Sequence, residues 1–148
     1  QLLYHNHDFE FIKIDGEYAL DILYNTIPAD LLQTELDTCW VNIGGENPAD
    51  YIVKYTDRAP IVHLKDFDGE KSDNMYELIG IESEKEEKPS TFEFRPVGSG
   101  VQNFPEILAM AETTDTKWVV VEQDQPSMGL TPMECIRKSR EYLKTLGY

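Results

Sequence analysis

Basic residues are scarce in this chain, and no long hydrophobic run is present. The 148 residues include 13 lysines and arginines against 28 aspartates and glutamates, for a formal net charge of −15. A surface this acidic repels a phosphate backbone, so the sequence predicts no nucleic-acid partner. No stretch approaches the roughly 20 apolar residues of a membrane-spanning helix, so we expect no membrane partner either.

Cysteine is also rare, and its placement excludes two kinds of site. Cys39 and Cys135 are far apart in the sequence, and neither has a second cysteine at metal-ligand spacing. Two isolated cysteines favour reduced thiols over a disulfide framework. Because the sequence also shows no signal peptide, we expect a cytoplasmic protein. The hydrophobic content of 41% is that of a globular chain, and we expect a single domain over residues 1–148.

Four short apolar runs each end in a side chain that can bind a metal. Runs of this kind are typical of buried strands in a parallel sheet. The runs cover residues 2–4, 32–36, 60–62 and 118–121, and they lead to His5, Asp37, His63 and Glu122 respectively.

Helix signals alternate with these runs. Apolar residues recur at helical spacing in 19–26, Asn47-Pro48 is a helix start, and a further helix is predicted over 104–112. Thr131 and Glu134 form a capping box that opens a last helix. The sequence therefore predicts an α/β fold of about four parallel strand–helix units. This is half of a (β/α)8 TIM barrel, because a full barrel needs about 250 residues.

The longest interruption of the alternation is irregular and charged. We expect residues 67–97 to form a loop or hairpin insertion, in which 75–81 pairs with 91–97 on either side of a solvated run at 83–88. Asp15-Gly16 predicts a second, tighter turn between two short extended pieces.

The four strand ends predict a metal site. In a barrel, the carboxyl ends of all strands open onto one face, so His5, Asp37, His63 and Glu122 should converge there. Two imidazoles and two carboxylates are suitable ligands for Mn²⁺, Zn²⁺, Co²⁺ or Mg²⁺. Two of these residues also have a structural interpretation: Asp37 as a loop cap and His63 as a core histidine. Burying Glu122 without a partner would be costly, so a metal ion or another cation is expected to neutralise it.

The chain also resembles a known family in five motifs that occur in order. The resemblance is to the sugar phosphate isomerase/epimerases of the xylose-isomerase-like barrel superfamily, and it covers the whole chain but only the C-terminal half of that barrel. The motifs are YHNHDFEF (4–11), ELDTCWV (35–41), VHLKDF (62–67), VGSG (97–100) and VVVEQD (119–124).

The resemblance implies a ligand set and a reaction class. Family members hold one divalent ion with Glu, Asp, His and Glu, and Asp37, His63 and Glu122 match the last three, whereas His5 stands where the first Glu is often found. The family implies a sugar isomerase or epimerase that abstracts a proton next to the carbonyl of a keto-sugar or sugar phosphate. His5 makes a dehydratase of the inosose dehydratase type an alternative. The superfamily's endonucleases are disfavoured by the acidic charge and by the presence of only three histidines.

Further residues receive roles from their positions near these motifs. His7 lies two residues after His5, so both face the same way on a strand, and either one or both are candidate ligands. We expect Glu122, His7 and Lys65 to be catalytic. We expect His7, Lys65, Trp40 and Arg95 to bind substrate, and Asp66 to orient a ligand.

Some of these roles have structural alternatives. Trp40 is equally interpreted as core packing, and Lys65 as a surface ion pair. Residues 98–100 favour a tight turn over a phosphate cradle.

Four parallel units leave two open sheet edges, which is unfavourable in isolation. We therefore expect either a homo-oligomer or an N-terminal half-barrel that is missing from this chain, with a small carbohydrate as the substrate. The remaining alternative is a truncated half-barrel with no activity of its own.

Overall fold

The structure, a computed structural model, describes residues 1–71 and 91–148. Its elements alternate between short strands and short helices. The strands are β1 (Leu2–His5), β2 (Lys13–Ile14), β3 (Glu17–Tyr18), β4 (Leu32–Asp37), β5 (Ile61–Leu64), β6 (Asp66–Asp68), β7 (Glu93–Arg95) and β8 (Trp118–Val121). The helices are α1 (Ala19–Thr26), α2 (Thr38–Ile43), α3 (Pro48–Lys54), α4 (Phe104–Thr113) and α5 (Pro132–Thr145), and Phe9–Phe11 forms one 3₁₀ turn.

Four parallel strands form the central sheet, in the order β1-β4-β5-β8. Each neighbouring pair is joined by a segment that contains helix, which is the strand–helix repeat of an α/β barrel. The predicted fold class is confirmed: the sheet is half of a TIM barrel. The four apolar runs are its four strands, although β5 continues one residue past His63 and β8 stops one residue before Glu122.

The hydrophobic core lies between this sheet and its helices. Leu36 and Val62, from neighbouring strands, are fully buried in one cluster with Ile52 of α3 and with Phe104 and Leu108 of α4. Burying side chains of this size contributes about 1.5–3 kcal/mol each. The opposite face of the sheet carries His5, Glu35, Asp37 and His63.

The predicted helix starts are confirmed at the level of individual hydrogen bonds. The Asn47 side chain accepts a hydrogen bond from the backbone N–H of Ala49 at 2.8 Å, with Pro48 in the first turn of α3. Thr131 and Glu134 form the reciprocal bonds of a capping box at the start of α5. These caps satisfy amides that would otherwise lack partners at a helix end.

Two antiparallel ribbons extend from the sheet. The Asp15-Gly16 turn joins β2 to β3, as predicted. The second ribbon pairs β6 with β7, so the two ends of the 67–97 segment lie side by side. Residues 75–81, which we expected to pair with 91–97, lie outside the described residues, and so does the charged run at 83–88.

The two edges of the sheet expose apolar side chains. Leu2 of β1 is 66% exposed, and Trp118 of β8 is 69% exposed. Cys39 and Cys135 are both buried and unbonded, as the sequence predicted. Within residues 1–71 and 91–148, every helix is too short or too polar to traverse a bilayer.

Candidate metal centre

The four predicted ligands converge at the carboxyl ends of the sheet. His5 and Asp37 are the last residues of β1 and β4, His63 lies in β5, and Glu122 directly follows β8. The register places Asp37 beside His63, and the backbone N–H of Glu122 donates to the carbonyl of Leu64 at 3.2 Å. One ligand atom from each of the four side chains lies within 4.8 Å of all the others.

The distances within this group fit a small divalent ion. Nε2 of His5 lies 3.4 Å from Oδ2 of Asp37 and 3.5 Å from Oε2 of Glu122. Two ligands at 2.0–2.1 Å from a tetrahedral ion are separated by about 3.4 Å. His63 completes the group, since its Nδ1 contacts the same Oε2 of Glu122.

Two buried atoms in the group lack hydrogen bonds to any residue that the structure describes. Oδ1 of Asp37 accepts from the backbone N–H groups of Cys39 (2.8 Å) and Trp40 (3.2 Å), and Asp37 is thus the N-cap of α2. Oδ2 of Asp37 and Nε2 of His5, however, are buried without a hydrogen bond. Buried polar atoms are rarely left unsatisfied, and a cation between these two would satisfy both. Oδ1 of Asp37 therefore caps α2, while Oδ2 is available to a metal ion, so the cap and ligand interpretations of Asp37 are compatible.

The charges of the group compensate one another. Burial would lower the pKa of His5, but the carboxylates of Asp37 and Glu122 raise it to about 9. The pKa of Glu122 is in turn lowered strongly by His5 and His63. In the metal-free protein at neutral pH, His5 is therefore protonated, and its positive charge compensates the two carboxylates as a metal ion would.

Lys65 is buried against the acidic side of the group. Its Nζ lies 2.9 Å from Oδ1 of Asp124, 3.3 Å from Oε1 of Glu122 and 3.9 Å from Oδ2 of Asp37. It also lies 4.9 Å from the ring centroid of Trp40. Burial opposes the charge of Lys65, but these carboxylates raise its pKa. The surface ion pair considered from the sequence is wrong, because Lys65 is only 1% exposed.

His7 lies next to the ligands without belonging to their group. Its ring centroid is 5.3 Å from that of His5 and 5.4 Å from that of Trp40. Burial and the neighbouring His5 lower the pKa of His7. Of the two histidines in the first motif, His5 therefore belongs to the group that could hold a metal, and His7 is a neutral imidazole beside it.

The other predicted residues have different surroundings. Trp40 is fully buried, in a small cluster with Cys39, Phe67 and Phe94. Arg95 pairs with Glu93 at 2.6 Å and Asp68 at 3.2 Å, within the β6–β7 ribbon. Substrate contacts by Trp40 and Arg95 stay predictions.

Asp66 organises the loop that follows β7. Its carboxylate accepts from the backbone N–H groups of Gly98 (2.9 Å), Gly100 (2.8 Å) and Gln102 (3.2 Å). Burial raises the pKa of Asp66, and the donated hydrogen bonds oppose that rise. Because these amides are engaged by Asp66, residues 98–100 are a turn built around a carboxylate, which is the interpretation that the sequence favoured.

Two acidic residues that the sequence analysis did not single out contact the site. Glu35 contacts Nε2 of His63 at 2.6 Å, and Asp124 contacts Lys65. Each lies two residues from a predicted ligand, Glu35 before Asp37 and Asp124 after Glu122. Alternation along a strand was the available signal, since residues two apart share a face.

Comparison with known proteins gives relatives that are consistent with this geometry. An inosose dehydratase from Clostridium botulinum is 27% identical over 150 aligned residues, covering 97% of this chain and 47% of the relative. An inosose dehydratase from Lacticaseibacillus casei is 25% identical over the same shares of the two chains. The chain therefore spans about half the length of the curated relatives it matches.

Solved structures agree on the fold. A sugar phosphate isomerase/epimerase from Parabacteroides distasonis superposes with a TM-score of 0.73 at 24% identity, covering 96% of this chain and 44% of that one. A xylose isomerase domain protein from Planctomyces limnophilus gives a TM-score of 0.62 at 14% identity, covering 96% and 43%.

The sequence profile of one family matches almost the whole chain. The match covers residues 1–146, which include every strand and helix described above and all four residues of the candidate metal group. The chain belongs to the xylose isomerase-like TIM barrel family.

Proposed function

We propose that this protein is a metal-dependent carbohydrate enzyme that removes a proton from the carbon next to a carbonyl group. The observation that carries the proposal is the convergence of His5, Asp37, His63 and Glu122, with two buried ligand atoms left without hydrogen bonds. These four residues would hold Mn²⁺, Zn²⁺, Co²⁺ or Mg²⁺. When bound, such an ion supplies Lewis acidity, which makes the C–H beside a carbonyl easier to deprotonate.

Glu122 and His7 are the bases that we assign to the proton transfer. Glu122 is kept ionised by its histidine neighbours, and His7 is kept neutral by burial and by His5. Both states are those in which a side chain can accept a proton. Lys65 would hold positive charge beside Glu122, where it would stabilise the negative charge that develops on the substrate oxygen.

We favour dehydration as the overall reaction, with a cyclic keto-polyol of the inosose class as substrate. The base takes the proton from the carbon next to the carbonyl group. The electrons of that C–H bond form a carbon–carbon double bond, and the hydroxyl group on the next carbon gains a proton and leaves as water. Support comes from the two inosose dehydratases, which align with 97% of this chain at 27% and 25% identity. It also comes from His5, because epimerases of the family often have a glutamate at this position, which acts together with the one at the position of Glu122.

Isomerisation or epimerisation of a keto-sugar or sugar phosphate is the second candidate. It shares the first step, but the proton returns to carbon and no water is lost. Glu122 favours it in one respect: a carboxylate that is kept ionised can take the proton from carbon and, once protonated, return it.

A second half-barrel is also part of the proposal. Four parallel strands with two open edges cannot enclose a pocket, so we propose that another copy of the chain or an N-terminal half-barrel completes it. The small carbohydrate would then bind between the halves.

Metal content is the first test, and Asp37→Asn is the variant to compare. The amide oxygen of asparagine can still cap α2, while a neutral ligand binds divalent ions less tightly, so the change separates metal binding from folding. We expect about one ion per chain by elemental analysis after dialysis against Mn²⁺ or Zn²⁺. We expect a loss of tenfold or more in affinity for the variant. A wild-type protein that retains no ion would refute the metal site.

The reaction is tested by incubating the loaded protein with keto-inositols and keto-sugars in D₂O. Dehydration gives an unsaturated product with ultraviolet absorbance, whereas isomerisation or epimerisation places deuterium on carbon without loss of water. If the metal-loaded protein forms no product from either substrate class, the enzyme assignment for this chain is contradicted.

A further inference from the structure

Glu35 is a carboxylate at the edge of the candidate metal centre, and it is not one of the four residues of that group. We propose that Glu35 is a positioning residue: it holds the His63 ring so that Nδ1 points at the metal site. This inference rests on the proposed metal centre and adds one residue to its function.

The position of Glu35 follows from the sheet register. Glu35 lies two residues before Asp37 in β4, on the same face of the strand, and it pairs with His5 on one side and Ile61 on the other. Its side chain therefore reaches across to the neighbouring strand β5. There Oε1 lies 2.6 Å from Nε2 of His63.

The two nitrogens of His63 have different partners. Nδ1 contacts Oε2 of Glu122, which also lies 3.5 Å from Nε2 of His5, so Nδ1 faces the group of four ligands. Nε2 faces away from that group, toward Glu35. A neutral imidazole that donates Nε2–H to Glu35 has its lone pair on Nδ1, which is the form that can bind a metal ion there.

Glu35 is committed to this contact. Within the described part of the chain, His63 is the only side chain recorded in a hydrogen bond or ion pair with Glu35. The side chain of His63 is 11% exposed, so water cannot easily replace that partner. Without Glu35 the ring could rotate, or could carry its proton on Nδ1, and either change would remove a ligand.

The test compares three variants in the full chain. Glu35→Ala removes the acceptor, Glu35→Gln keeps an acceptor oxygen, and Gln33→Ala is the control, two residues earlier on the same face of β4. Affinity for Zn²⁺ is measured by competition with a chromophoric chelator. We expect affinity to fall 10–100-fold in Glu35→Ala, to be largely restored in Glu35→Gln, and to stay at the wild-type value in Gln33→Ala.

A spectroscopic readout separates positioning from a general loss of structure. In the Zn²⁺-loaded wild type we expect a slowly exchanging Nε2–H proton of His63 in long-range ¹H–¹⁵N spectra. We expect it to persist in Glu35→Gln and to be lost by exchange with water in Glu35→Ala. Circular dichroism and thermal midpoints establish that each variant is folded, and if Glu35→Ala does not fold, Glu35→Asp takes its place, with the shorter side chain expected to lose the proton signal.

Two failures are distinguishable. If Glu35→Ala binds Zn²⁺ as tightly as the wild type and keeps the Nε2–H signal, the positioning role is refuted while the metal centre stands. If the wild type itself binds no metal, the metal centre fails and the role of Glu35 fails with it.

Discussion

We expect the proton on His5 and a metal ion to compete for the same two carboxylates, Asp37 and Glu122, so that pH controls metal binding at the proposed site. Without metal, Asp37 and Glu122 raise the pKa of His5 to about 9. His5 is therefore protonated at neutral pH and must lose that proton to bind a metal through Nε2. The binding of metal should thus release protons.

Metal affinity is accordingly predicted to rise with pH. Below pH 9 each released proton makes the apparent association constant rise about tenfold per pH unit, and the rise should level off above pH 9. Titrations with Mn²⁺ at pH 6, 7 and 8 in two buffers of different ionisation enthalpy would measure both affinity and proton release. Affinity that does not vary over this range would contradict His5 as a ligand.

At the level of single residues, the sequence predicted which four side chains converge but not the residues that surround them. The convergence of His5, Asp37, His63 and Glu122 was predictable because each lies at or next to the end of a predicted strand, and strand ends converge in a barrel. Alternation along β4 places Glu35 on the same face as Asp37, but its contact with His63 depends on the ring orientation of a histidine on the next strand. The burial of Lys65 between carboxylates and aromatic rings was likewise invisible, because it depends on α2 and the β6–β7 ribbon folding over it.

At the level of elements, the sequence predicted those with strong local signals. The helices with caps and periodic apolar faces were predicted within a few residues. Helix α2 (Thr38–Ile43) was missed, because six residues are too few to show helical periodicity. It forms because Asp37 caps it and because Thr38 Oγ1 donates to the carbonyl of His63 at 2.7 Å, a contact between segments distant in sequence.

The loop at residues 98–102 depends on close approach of its backbone to Asp66. A Cβ atom at Gly100 would lie 2.1 Å from the carbonyl oxygen of Phe67 and 2.4 Å from Oδ1 of Asp66. Gly100→Ala is therefore predicted to push the loop away from β6 and to destabilise the chain by about 1–3 kcal/mol. Urea unfolding followed by tryptophan fluorescence would measure the change.

Ser99→Ala is the control for this prediction. It lies in the same loop, half-buried, and adds no atom, so its unfolding midpoint should match that of the wild type. Equal midpoints for Gly100→Ala and the wild type would mean that the loop can move away from Asp66 without cost.

At the level of the whole molecule, the apolar residues at the sheet edges conflict with the charge of the chain. Trp118 and Val120 are 69% and 38% exposed on the edge strand β8, and an open parallel edge favours pairing with another strand. A net charge of −15 opposes association of identical chains. Salt screens that repulsion but leaves the hydrophobic attraction intact, so ionic strength separates the two effects.

The chain on its own is therefore predicted to self-associate, and more so as salt rises. Sedimentation velocity between 20 and 500 mM NaCl should show a growing dimer fraction, and Trp118→Lys should reduce it at every salt concentration. Met133→Lys is the matched control, because Met133 is also 69% exposed but lies on α5, outside the sheet. A dimer that responds equally to both substitutions would place the contact elsewhere. A chain that stays monomeric in high salt would argue against a second copy and leave an N-terminal half-barrel as the element that covers β8.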